Sequence, residues 1–146
     1  MHTTQTDQVT GTLRDAKTAK LLVLWGVTVW FAVAVLIRLV GHIFLSPENP
    51  LLVFGFFLSV IPLMIAVTYP VYNRLDISVG SRATAAALMS IPGLFLDVLL
   101  VLYAEIIFPQ MEIAAVINYA AILLFGYAIV LVTGFVPRKS TSETQK

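Results

Sequence analysis

Four long apolar runs, separated by short polar breaks, set the pattern of this chain. They cover residues 21–45, 51–72, 83–108 and 111–135. A bilayer core takes about 20 mostly apolar residues in helical form, and each run is long enough. The breaks read SPENP, NRLDISVGSR and FPQME. Proline stops a helix because it lacks an N–H and crowds the preceding turn. FPQME leaves room only for a tight turn, so the third and fourth runs should form an antiparallel hairpin. SPENP does the same for the first and second. The pattern therefore predicts an all-α fold, an integral membrane four-helix bundle of two antiparallel hairpins over residues 21–136.

The two ends of the chain are polar. Residues 1–20 are expected to form a flexible tail, with a short helix around 13–20. A signal peptide would place its apolar core sooner and end at a small-residue cleavage site. Residues 137–146 are expected to form a second polar tail.

Lysine and arginine set the expected threading, because cytoplasmic loops carry an excess of both. Arg14, Lys17 and Lys20 precede the first run, Arg74 and Arg82 sit in the middle break, and Arg138, Lys139 and Lys146 follow the last run. The two other breaks hold no basic residue and carry Glu48 and Glu112. All basic residues outside the runs thus fall on one side. That side should be the cytoplasm, with both termini inside, in the inner membrane of a cell. Trp25, Tyr69, Tyr72 and Tyr103 fall near expected interfaces, where aromatic rings with a polar tip are favoured. Trp30 lies deeper and reads as packing.

Composition agrees with the membrane reading. Of 146 residues, 59% are hydrophobic and 12% are charged, against about 45–50% and about 25% in soluble domains. Mean hydropathy is +0.93. The net charge of +1 offers no basic surface for nucleic acid. The absence of cysteine excludes disulfides, thiol nucleophiles and Cys-based metal sites. No His-Glu-x-x-His, phosphate-binding Gly-rich loop or Gly-x-Ser-x-Gly elbow occurs. No catalytic set, metal site or cofactor is expected, and an enzyme is the least supported reading.

A few polar residues lie inside the runs. At 1.5 Å per helical residue, Arg38 falls about 10 Å below the outer surface, Asp97 about 16 Å, Glu105 about 4–5 Å and Asn118 about 10 Å. His42 is one turn above Arg38. All five lie in the outer half. Ala86, Ser90, Gly93 and Asp97 share one helical face, and small residues there let neighbouring helices approach. Ala34, Arg38, Gly41 and His42 share a face of the first span; Ala114, Asn118 and Ala121 share one on the fourth. These faces predict a polar network in which Arg38 meets Asp97, with Asn118, His42 or Glu105 adding hydrogen bonds. A lone Arg or Asp at a helix centre costs about 2.5–3.5 kcal/mol on insertion scales, which favours pairing. Other readings stay open: Arg38 snorkelling to the headgroups, or a transport or ligand site. Pro62 and Pro92 each remove a backbone hydrogen bond, so Pro62 and the Pro92–Gly93 pair are candidate hinges.

Arg38-x-x-Gly41-His42, Pro92-Gly93-x-x-x-Asp97, Phe108-Pro109, Tyr119 and Gly126 together make the chain resemble a family of small bacterial four-helix integral membrane proteins of uncharacterised function. The resemblance covers about 21–136 and implies a fold and a membrane location, with no activity attached. Two functions are expected from different classes. The first is a structural or accessory membrane component that works with the bilayer and a membrane-protein partner or a second copy. The alternative is a small dimeric transporter, or a proton- or ion-coupled carrier, using the Arg38/Asp97 network.

Overall fold

The computed structural model describes residues 16–136. Four long helices carry the chain: α1 (Ala16–Phe44), α2 (Pro50–Arg74), α3 (Arg82–Leu102) and α5 (Ile113–Phe135). A single turn, α4 (Ala104–Ile107), lies between the last two, and a 3₁₀ turn at Val79–Ser81 leads into α3. All four long elements are long and apolar enough to cross a membrane. Helix α1 is described from Ala16, so residues 16–20 of the expected tail are helical, within the stretch where a short helix was expected. The rest of that tail and the whole of 137–146 lie outside the described residues.

Local chemistry explains the helix ends. Pro50 opens α2, where its missing N–H costs nothing and its fixed φ suits a first turn. At the other end of α2, Ile77 N–H donates to Tyr72 C=O at 2.9 Å and Asp76 N–H to Asn73 C=O at 3.4 Å. Asp76 has φ 49°. This is a Schellman closure, with Asp in the left-handed position that Asp and Asn tolerate better than most side chains.

The third apolar run does not continue as one helix to Phe108. It is interrupted at Tyr103 (φ −104°, ψ 23°), and α4 resumes for one turn that Phe108 N–H closes on Ala104 C=O at 2.7 Å. Nothing in the sequence around Tyr103 signals a break. Its result is burial of Ala104 and Phe108, with the Phe108 ring edge-on to Tyr119 at 5.5 Å. By contrast, α2 runs unbroken through Pro62 and Pro70, and α3 through Pro92.

The second hairpin is closely packed, and the first is held mainly through the second. Helix α3 makes its most extensive contacts with α5 and α1, and α2 packs on α5, whereas α1 and α2 touch little. Helices α1 and α3 run parallel, pairing Gly26 with Met89 and Trp30 with Asp97. Helices α2 and α5 also run parallel, pairing Val60 with Gly126 and Tyr72 with Thr133. Helices α3 and α5 are antiparallel, with Ala83 against Gly134 and Asp97 against Tyr127. The short SPENP turn therefore does not produce a tightly packed first hairpin.

Two glycines make the close approaches possible. A Cβ on Gly26 would collide with the Met89 carbonyl of α3, and a Cβ on Gly134 would lie 2.7 Å from Ala83 Cα. Small residues that let backbones meet are the usual device of membrane helix packing, where no hydrophobic force drives helices together.

Candidate functional site

Asp97 sits on the inward face of α3 with Ala86, Ser90 and Gly93, all four of them buried. Its side chain is 6% exposed. Trp30 Nε1–H of α1 donates to Oδ1 at 2.7 Å. Tyr127 O–H of α5 donates to Oδ2 at 2.5 Å. Each carboxyl oxygen is thus taken by a donor from a different helix. Gly93 makes room for this: a Cβ there would land on the Tyr127 hydroxyl. One turn below Asp97, the missing side chain is what lets the phenol reach the carboxyl.

Arg38 takes no part. It is exposed, on the flank of α1, and the groups that act on Asp97 are Tyr127 and Trp30. The expected Arg38–Asp97 ion pair is therefore corrected to a Trp30–Asp97–Tyr127 bridge. The physical reason is helical phase. The inward face of α1 runs through Leu22, Gly26, Trp30, Ile37 and Gly41, of which Leu22, Ile37 and Gly41 are fully buried. Arg38 is one residue past Ile37, and so about 100° round the helix from it. It also lies about 12 Å along α1 from Trp30, the residue level with Asp97.

The other expected members disperse. Asn118 Nδ2–H donates to Leu45 C=O at 3.0 Å, which satisfies a carbonyl left over at the C-terminal end of α1. His42 is half-buried, and its Nδ1 has no partner among the described residues. Glu105 is exposed on α4. Pro62 is exposed, Pro92 is half-buried, and neither touches the Asp97 bridge through a hydrogen bond.

A second polar cluster lies at the opposite end of the helices. Thr133 Oγ1–H donates to Val130 C=O at 2.6 Å, which uses its only proton. Tyr72, 1% exposed, must then be the donor in its 3.2 Å contact with Thr133 Oγ1. The Arg82 guanidinium lies 5.5 Å over the Tyr72 ring, a cation–π arrangement that joins the start of α3 to the end of α2. This cluster was invisible as a site in the sequence, because Tyr72 reads there only as an interfacial aromatic.

Between α1 and α2, where contact is sparse, lies a cleft with about 910 Å³ of empty space counting its open side. Trp25, Trp30 and Ile37 form one wall and Phe56, Val60 and Met64 the other. Met89 and Ser90 of α3 and Tyr119, Gly126 and Tyr127 of α5 form the floor. Trp30 and Tyr127 therefore both hold Asp97 and line the cleft.

Four helices long and apolar enough to cross a membrane, packed around a buried, internally bridged carboxyl, mark a multi-pass membrane protein. The sequence pattern of a family of unknown function, DUF5367, matches residues 44–141, and the chain belongs to that family. The match takes in Asp97 and Tyr127 and begins at the last residue of α1, so Trp30 and Arg38 lie before it. No curated protein and no solved structure matches the chain.

Proposed function

We propose that the protein is a non-catalytic, accessory component of a cell's inner membrane, threaded with both termini in the cytoplasm. In this role its buried polar groups hold helices together and do not carry charge. The observation that supports it is the occupancy of Asp97. Both carboxyl oxygens are engaged by donors of the same chain, from α1 and α5, on the face where the helices meet. A carrier site needs a group left free to exchange its partner. The Arg38/Asp97 network that the carrier alternative would use is not formed. The threading is supported by Lys17 and Lys20 in the first turns of α1, Arg74 at the end of α2 and Arg82 at the start of α3, all at one end of the helices. The partners in this reading are the bilayer itself and another membrane protein or a second copy.

The test is flux through proteoliposomes carrying the purified protein and a trapped pH-sensitive dye, under an imposed proton gradient with and without sodium or potassium. The accessory reading expects decay equal to that of empty liposomes, for the wild type and for Asp97→Asn alike. It also expects Asp97→Asn to lower the melting temperature. Flux above background that Asp97→Asn abolishes in folded protein would establish the carrier instead.

A further inference from the structure

The cleft between α1 and α2 goes beyond the accessory role, and rests on different atoms. Its mouth is formed by Trp25 and Leu36 of α1 and Leu63 of α2, all of them exposed. In a bilayer an opening at these positions faces acyl chains, not water. Its lining includes no charged side chain. The floor, however, carries two hydroxyls. Ser90 is 3% exposed and Tyr119 is 1% exposed. Among the described residues, neither Ser90 Oγ nor Tyr119 Oη has a hydrogen-bond partner. A buried hydroxyl without a partner is costly, more so where no water can reach it. The two sit on different helices, yet both line the same cavity.

These features select a class of occupant. The uncharged lining disfavours ions and charged headgroups. The apolar, partly aromatic walls suit a long hydrocarbon portion. Both hydroxyls can donate, so the occupant must bring oxygen acceptors to them. We propose that the α1–α2 cleft is a binding site for an uncharged, membrane-dissolved amphiphile, a long apolar molecule bearing carbonyl or ester oxygens. It enters sideways between α1 and α2 and accepts hydrogen bonds from Ser90 and Tyr119.

The chain carries its own reporter, because its two tryptophans, Trp25 and Trp30, both line the cleft. Quenching of their fluorescence is measured on the full chain in mild detergent. The probes are the methyl ester of dibromostearic acid and dibromo-octadecane, which lacks the ester. The site predicts saturable quenching by both, with the ester about tenfold tighter, the worth of one good hydrogen bond. The Ser90→Ala/Tyr119→Phe double variant adds no atoms, and should bring the ester down to the level of the alkane. At Gly126 a Cβ fits, 3.6 Å from Val60 Cγ1, so Gly126→Leu should fill the cleft and abolish saturation by both probes. Helical content and elution volume check that each variant is folded; if Gly126→Leu is not, the double variant decides. Three results would overturn the proposal: quenching that only tracks the amount of probe per micelle, equal binding of ester and alkane to the wild type, or saturation unchanged in folded Gly126→Leu. A cleft sealed by a second copy gives the first of these, together with a dimer mass by light scattering.

Discussion

Trp30 and Asp97 are 67 residues apart in sequence and joined by a 2.7 Å hydrogen bond that ties α1 to α3. Tyr127 extends the tie to α5 through the other carboxyl oxygen. The bond matters because α1 is otherwise loosely held on its α2 side. Intramembrane hydrogen bonds are worth about 0.6 kcal/mol on average and up to about 1.7. A carboxyl with a donor on each oxygen combines two of them with the positional control that apolar contacts lack.

Removing the carboxyl should therefore destabilise in a graded way. Asp97→Leu leaves the Trp30 indole and the Tyr127 phenol without acceptors, and should cost about 1–3 kcal/mol. Asp97→Asn keeps one oxygen acceptor and should cost less. Thermal unfolding in detergent checks the order: wild type, then Asn, then Leu.

Arg38 should behave as an ordinary exposed residue. Arg38→Met is expected to shift stability by no more than about 0.5 kcal/mol, the range for surface changes. Arg38→Met should also fail to rescue Asp97→Leu, because the two side chains do not meet. The same unfolding assay on the double variant checks this; restored stability would revive the ion pair.

Glycine substitutions should sort by what a Cβ meets. Gly93→Ala places a methyl on the Tyr127 hydroxyl, and Gly26→Ala drives one into the Met89 carbonyl. Both should lower stability by about 1–3 kcal/mol, the usual range for overpacking. Gly55 has nothing within 4 Å of its Cβ position. Gly55→Ala should be neutral or slightly stabilising, since alanine favours helix by about 1 kcal/mol. Parallel melts of the three variants measure the contrast.

The turn region offers a local test. Asn118→Leu removes the donor to Leu45 C=O. Amide exchange should speed up in the last turn of α1 and stay unchanged around Asp97. Hydrogen-exchange mass spectrometry resolves the two regions.

The helices were legible in the sequence because length and hydropathy alone define a membrane-length run. The inward face of α3 was legible too, since Ala86, Ser90, Gly93 and Asp97 mark it with small and polar residues at helical spacing. The partner of Asp97 was not. Charge complementarity pointed to Arg38, but one residue of phase turned it outward and put Trp30 inward. Gly26, Trp30, Ile37 and Gly41 share a face of α1, and that spacing was the available signal. It was masked because a tryptophan in an apolar run reads as packing. Tyr127 was missed for the same reason. The break at Tyr103 had no local sequence cause; it accompanies the packing of Phe108 on Tyr119, a contact between separate segments.

The central claim is that Asp97 bridges helices through Trp30 and Tyr127, and a double-mutant cycle tests it most directly. Trp30→Phe, Asp97→Ala and their combination are unfolded in detergent, and the interaction energy is taken from the four melts. The bridge predicts coupling of about 0.6–1.7 kcal/mol between Trp30 and Asp97. Additive costs, with coupling within about 0.3 kcal/mol of zero, would contradict it.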